Sequence, residues 1–220
     1  MRALPVALVL VACSDGSEGA GTRTSISASA TTKPSTVSSS GSSTTTEQPT
    51  YIKAKPDPSL PRQDIDVKVS YPSSFTEEQV EVVQAWTNYR HVFFATLDPP
   101  DPDSPLFTKV TDSQGVAVSR DQRLRLILEG KSARIPEDGS LRETVIVASS
   151  TDAKAKLLTC QVDSAVQIAT STGSVFNERV ITKRILGVLA RSSAGAWAVS
   201  TDTLEEKRWP GDEEALCLAS

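Results

Sequence analysis

The composition of the chain changes sharply near Thr50, and this change limits where a folded core can form. The segment Ser14 to Thr50 consists mostly of Ser, Thr, Gly and Ala, with Ile26 and Val37 almost its only sizeable apolar residues. Such a segment buries too little apolar surface to offset the conformational entropy lost on folding. The sequence therefore predicts a disordered linker, taken as residues 13–50, followed by one folded domain.

Ahead of the linker, Met1 to Cys13 has the layout of a short export signal. Arg2 gives a positive start, an apolar run extends from Leu4 to Val11, and small Ala12 stands directly before Cys13. The run is too short to span a bilayer as a mature helix. The layout predicts a signal peptide over residues 1–12; a chance apolar stretch with an unmodified Cys13 thiol is the alternative.

The segment Leu10-Val11-Ala12-Cys13 resembles the bacterial lipobox, in which aliphatic and small residues precede a lipidated cysteine. The resemblance implies cleavage after Ala12 and a diacylglyceryl thioether on Cys13, with acyl chains of the palmitate type. More than one acyl chain is what stable anchoring requires. We therefore expect a lipoprotein held by Cys13 at the extracytoplasmic face of the cell membrane.

The three cysteines suggest how the domain is cross-linked. Once Cys13 is assigned to lipid, Cys160 and Cys217 remain as an even pair in a compartment that permits oxidation. We expect these two to form a disulfide. Two separate buried thiols are the alternative, because free cysteine often packs as a small hydrophobic residue.

Residues 51–72 are rich in proline and predict an extended lead-in, with Ile65 to Val69 as an edge strand. The domain proper, residues 73–220, then begins with helices. Hydroxyl and acidic residues at 73–78 predict the start of a long first helix. Its apolar stripe is formed by Val82, Trp86, Tyr89, Phe93 and Leu97.

Two more helices are predicted after the proline-rich turn that ends the first. The second covers Leu106 to Val110, and the third covers Val116 to Glu129 with Gly130 as its C-terminal stop. The spacing of apolar residues in the third helix predicts a buried stripe of Leu124, Ile127 and Leu128.

After Gly130 the apolar period changes to two, which is typical of strands. Strands are predicted around Thr144–Ala148, at Leu158–Val162, at Arg179–Arg191 and at Ala196–Thr203. In the second of them, alternation places Leu158, Cys160 and Val162 on one face and Thr159, Gln161 and Asp163 on the other. The fold class is therefore α+β, with three N-terminal helices packed on a curved antiparallel sheet.

The order of these features along the chain resembles the cone fold of nuclear transport factor 2, shared with ketosteroid isomerase and SnoaL-type cyclases, and its actinobacterial lipoprotein relatives. The carriers are the aromatic first helix, the acidic proline-rich turn, the segment from Cys160 to Asp163, the strand around Trp197 and the C-terminal cysteine. In such relatives the mid-strand cysteine commonly pairs with the C-terminal one. The resemblance also implies a hollow between helix and sheet.

Candidate site residues in that hollow are Tyr89, Asp163 and Trp86. Enzymes of the cone fold use an Asp or His base with Tyr or Asp oxyanion donors, so Tyr89 and Asp163 would be the pair for an isomerase or dehydratase. His91 has no second His or paired nucleophile and forms no recognisable dyad. We expect no catalytic residue, no cofactor and no metal site, since one histidine and three cysteines are too few for a zinc cluster.

The expected function is a non-catalytic domain that binds a small apolar ligand or a neighbouring envelope protein. A net charge of -4 argues against a nucleic-acid partner. The alternatives are an isomerase- or dehydratase-type enzyme that uses the cone pocket, and a structural accessory module of a cell-envelope complex. Fold analogy alone does not choose between them.

The anchor is tested by metabolic labelling of the full chain with a radioactive fatty acid, in parallel with Cys13→Ala. We expect the label on the native chain and none on the variant, because the thioether forms only on the Cys13 sulfur. Label that persists in Cys13→Ala contradicts the assignment.

Overall fold

The structure is a computed structural model that describes residues 49–60 and 65–219. The predicted signal, Cys13 and nearly all of the predicted linker lie outside these residues. The helices are α1 (Glu77–Ala95), α2 (Phe107–Val110), α3 (Ser113–Leu128) and α4 (Glu214–Ala219). The strands are β1 (Tyr51–Lys53), β2 (Val67–Pro72), β3 (Lys131–Arg134), β4 (Leu141–Ser150), β5 (Lys154–Asp163), β6 (Val166–Ala169), β7 (Val175–Asn177), β8 (Ile181–Arg191) and β9 (Trp197–Pro210).

The strands form two sheets, so the α+β class is confirmed. A curved six-stranded sheet has the order β1-β2-β4-β5-β8-β9, and a smaller sheet has the order β3-β6-β7. The prediction of a wholly antiparallel sheet was wrong, because β2 pairs with β4 in parallel. The predicted edge strand is also interior: β1 pairs on its other side, so the lead-in contributes two strands to the main sheet.

Helix α1 begins with a reciprocal capping box. The Thr76 hydroxyl accepts a hydrogen bond from the backbone N–H of Gln79, and the Gln79 side chain accepts one from the backbone N–H of Thr76. Four members of the predicted stripe are buried, with Trp86 fully enclosed; Phe93 is half-buried, and Leu97 lies two residues after the end of the helix. Gly187 on β8 permits this, since a Cβ there would lie 2.5 Å from the Trp86 ring.

Helix α3 follows the predicted bounds closely but buries a different face. Leu124, Ile127 and Leu128 are exposed, the last to 86%. The helix instead packs through its small and polar residues, Gly115, Ser119 and Arg123. At Gly115 a Cβ would lie 2.2 Å from the carbonyl oxygen of Val199, so close contact with β9 selects the residue without a side chain. The predicted stripe was therefore wrong.

Within the described residues the helices number four rather than the predicted three, because residues 214–219 form α4 on the outer face of the sheet. The structure places Cys217 of α4 and Cys160 of β5 at disulfide-bonding distance, with Cα atoms 5.8 Å apart. Both cysteines are buried. The pairing expected from the cysteine count is present, and it fastens α4 to the sheet.

The inner face of β5 determines where the core ends and a cavity begins. Ala155, Leu157, Thr159 and Gln161 are all buried, and they lead to half-buried Asp163 at the end of the strand. The predicted alternation of this strand is confirmed. Because polarity rises along this row, one end of the sheet packs against α1 as an apolar core while the other end presents polar groups.

Candidate ligand-binding site

A cavity of about 310 Å³ lies between the C-terminal half of α1 and the polar end of the sheet. Phe93, Phe94 and Leu97 form its apolar side. Gln161 and Lys183 belong to its polar side, together with Arg90, Asp163 and Asp202. The volume is at the lower end of the range for small-molecule sites, about 300 to 1,000 Å³.

The floor of the cavity is organised by Arg90, whose side chain is 3% exposed. Its Nε donates to Glu143 Oε2 at 2.9 Å, its Nη1 donates to Asp202 Oδ2 at 3.3 Å, and its Nη2 donates to Gln161 Oε1. Burial lowers the pKa of Arg90, but the carboxylates of Glu143 and Asp202 outweigh burial and raise it above its ordinary value. Arg90 is therefore a permanent cation held by three strands.

Glu143 on β4 ties this cation to the core. The indole Nε1 of Trp86 donates to Glu143 Oε1 at 3.0 Å, and the Thr159 hydroxyl donates to the same oxygen at 2.5 Å. The Glu143 side chain is fully buried. Arg90 donates to its other oxygen, so both oxygens of this carboxylate accept hydrogen bonds. A buried charge is stable in a protein when it is paired and hydrogen-bonded in this way.

Asp163 lines the cavity and is also fully engaged. Lys183 Nζ donates to its Oδ2 at 2.8 Å, and Gln161 Nε2 donates to the same oxygen at 3.1 Å. The backbone N–H of Ala165 donates to its other oxygen, Oδ1, at 2.9 Å. Gln161 thereby connects Asp163 to Arg90, so the polar wall and the floor form one hydrogen-bonded network.

Asp202 on β9 is the least satisfied member of this network. Its Oδ2 accepts from Arg90, whereas its Oδ1 is buried without a hydrogen-bond partner among the described residues. The charge of Asp202 also acts on Tyr89, which lies on the core side. Burial raises the pKa of Tyr89 well above 10.0, and the negative charge of Asp202 raises it further.

Arg123 of α3 is a second buried cation next to this region. Its guanidinium lies over the rings of Phe93 and Phe107, and its Nη2 donates to the Phe93 carbonyl at 2.6 Å and to Thr96 Oγ1 at 3.0 Å. Among the described residues no carboxylate forms an ion pair with it. Burial therefore lowers its pKa to about 10.

The three candidate residues from the sequence lie in different layers. Asp163 is on the cavity wall, whereas Tyr89 and Trp86 are buried in the core cluster behind it and do not line the cavity. The structure therefore does not bring Tyr89 and Asp163 together as a pair facing one hollow. The reason is helical geometry, because successive side chains point about 100° apart around a helix. Tyr89 therefore packs into the core, while the next residue, Arg90, reaches the cavity floor.

Sequence reasoning missed Arg90, Glu143 and Asp202. A signal for Arg90 existed: it stands four residues after Trp86 and three before Phe93, on a helix side that is otherwise apolar. A cation inside an apolar stripe requires a buried anion. Nothing in the local sequence singles out Glu143 or Asp202 as that anion, because each belongs to a distant strand.

Among the described residues, no group of three or more His, Cys, Asp or Glu residues has the geometry to hold a metal ion. None of the helices in that part of the chain combines the length and the apolar character needed to cross a membrane.

Comparison with known proteins gives structural neighbours only. No protein-family model matches the chain, and no curated protein matches it. The chain is similar to the intermembrane-space region of the chloroplast protein ARC6, with a TM-score of 0.44 and 13% identity over 60% of this chain and 98% of that one. It is also similar to a ketosteroid isomerase-like protein from Erwinia carotovora atroseptica, with a TM-score of 0.41 and 14% identity over 58% and 95%. Both TM-scores are below 0.5, so neither neighbour indicates a function for this chain.

The burial of Tyr89 next to Asp202 predicts a late tyrosine titration. In the folded full chain, ultraviolet absorbance should show an ionisation step well above pH 10.0 that is missing from Tyr89→Phe. A phenol whose pKa is raised by folding stabilises the native state fully below its unfolded pKa, and that stability is lost as the pH rises through the folded pKa. If Tyr89→Phe leaves the late step unchanged, that step does not belong to Tyr89, and the predicted effect of burial next to Asp202 is contradicted.

Proposed function

We propose that this chain is a lipid-anchored, extracytoplasmic binding module of the cone type, whose cavity holds a small molecule without transforming it. The observation that carries the proposal is the cavity floor, where acceptors on β4, β5 and β9 fix the Arg90 guanidinium before any ligand arrives. Groups that are fixed in advance lose little entropy on binding, which favours a binding role. The lipobox-like segment ending in Cys13 supports the anchor.

The state of Asp163 favours binding over catalysis. A general base needs a carboxylate oxygen that can take a proton from substrate. Both oxygens of Asp163 already accept hydrogen bonds, one of them from the Lys183 ammonium at 2.8 Å, so neither oxygen is open to a proton of the substrate. Tyr89 lies behind the wall and cannot serve as the oxyanion donor of an isomerase site in this arrangement.

The lining indicates the polarity of the ligand. Aromatic and aliphatic side chains on α1 face amides and charges on the sheet, so the site suits a molecule with an apolar part and at least one polar group. This extends the expectation of a small apolar ligand, because a purely apolar molecule would remove water from the half-buried charges of Asp163 and Lys183 and offer them no hydrogen bond in return.

One observation favours a second candidate, an enzyme that uses Asp202. Its Oδ1 lacks a hydrogen-bond partner among the described residues, whereas both oxygens of Asp163 already accept hydrogen bonds. The two candidates differ in the fate of the ligand. Mass spectrometry after prolonged incubation distinguishes them: a ligand recovered unchanged supports the binding module, and a transformed one supports the enzyme.

The binding proposal predicts that filling the cavity abolishes binding. Ala165 lines the cavity, and Ala165→Trp should remove the hits that the wild-type full chain gives in a saturation-transfer NMR screen of a fragment library. Ala153→Trp is the matched control, because Ala153 is exposed in the turn before β5. Ala133→Trp blocks the same cavity from the smaller sheet and serves if Ala165→Trp does not fold.

The hits should persist in Ala153→Trp and disappear in a folded blocking variant. A wild-type chain without hits, or hits that survive both Ala165→Trp and Ala133→Trp, would show that this cavity is not a binding site.

A further inference from the structure

We propose that the ligand is an organic anion, a carboxylate or a phosphate ester with an apolar body, and that Arg179 and Arg208 at the cavity mouth recognise its charge. This inference rests on the proposed function, since it names the class of molecule that the same cavity takes.

The buried charges around the floor are matched in number. Arg90 and Lys183 form ion pairs with Glu143, Asp202 and Asp163. The other buried cation, Arg123, makes no ion pair with a described residue, but its charge and that of Asp202 attract each other. The group thus contains three cations and three carboxylates, and a ligand has no net interior charge to neutralise.

The mouth is different, because its cations are unmatched. Arg179, between β7 and β8, and Arg208, on β9, both line the cavity and are both exposed. Neither guanidinium forms an ion pair or a side-chain hydrogen bond with any residue that the structure describes. The adjacent Glu178 lines a separate cavity rather than this one.

The pairing of β8 with β9 places Arg208 beside the polar wall of the cavity. Arg208 is paired with Lys183 across β9 and β8, and Lys183 already holds Asp163 on the polar wall. An anionic group at the mouth would therefore meet two guanidinium groups that have no ion-pair partner in the described part of the chain. Guanidinium binds carboxylate and phosphate through two parallel hydrogen bonds, so the chemistry of the mouth favours these anions over neutral groups.

The apolar side of the cavity requires more than a bare anion. Phe93, Phe94 and Leu97 offer a surface that an inorganic ion cannot cover. Burying a hydrocarbon body there contributes about 25 cal/mol per Å² of apolar surface removed from water. The ligand class that satisfies both ends is a small amphipathic anion, with its charge at the mouth and its apolar body against α1.

The test compares octanoate with octanamide by isothermal titration calorimetry on the full chain. The two probes share a hydrocarbon body and differ in charge. We expect octanoate to bind roughly tenfold more tightly, because its carboxylate forms exposed charge pairs with Arg179 and Arg208 that the neutral amide cannot form. In the double variant Arg179→Gln/Arg208→Gln the preference for octanoate should fall to about twofold or less, because neither charge pair can form.

Arg125→Gln is the matched control, because Arg125 is an exposed arginine on α3 outside the cavity. It should retain the octanoate preference. The preference should also weaken as salt is added, since exposed charges are screened. Both arginines in the double variant are exposed, so the fold should be retained, and circular dichroism checks this.

Three outcomes would overturn the inference. Octanoate and octanamide that bind equally, with both lost in Ala165→Trp, would leave the binding module intact and remove its anion preference. Inorganic phosphate that binds as tightly as octanoate would remove the role of the apolar side. If neither octanoate nor octanamide binds while the fragment screen gives cavity hits, the ligand class is wrong although the proposed function stands.

Discussion

The buried ion pair between Arg90 and Glu143 is the interaction on which the rest of this domain depends. A guanidinium enclosed beneath α1 would be costly without a carboxylate, and Glu143 supplies one at 2.9 Å while it also accepts from Trp86 and Thr159. The pair fixes the helix to β4 at one position along its length. On one side of it lies the apolar core around Trp86, and on the other lies the cavity.

Core and cavity are thus two ends of one packing arrangement. The inner row of β5 passes from Leu157 through Thr159 and Gln161 to Asp163, so the same strand contributes to the apolar core at one end and to the polar wall of the cavity at the other. Disulfide-linked α4 covers the outer face of this strand, which leaves the inner row free to serve the site. A cavity formed in this way is lined by side chains that the fold already holds in place, which is why we favour binding of a small amphipathic molecule.

The sequence predicted the elements whose signals are local, and it failed where the deciding contacts are distant. The first helix, the alternation of β5 and the cysteine pair follow from spacing, capping and count. The buried face of α3 did not, because contact with β9 selects Gly115, and the face that carries Gly115 and buried Ser119 leaves Leu128 in solvent. The parallel pairing of β2 with β4 and the ion pair of Arg90 join residues far apart in sequence, and no local pattern indicates such partners.

The most direct test of this account is a double-mutant cycle on the central ion pair. Urea unfolding of the full chain is compared for wild type, Arg90→Met, Glu143→Leu and the double variant. Each single change should lower the free energy of unfolding by about 3–5 kcal/mol, because Arg90→Met leaves the buried Glu143 without a cation and Glu143→Leu removes the nearer of the two carboxylates of Arg90. The double variant should lose much less than the sum, with a coupling of about 2 kcal/mol or more. Losses that add to within about 0.5 kcal/mol would show that the two side chains act independently, and the account would be wrong.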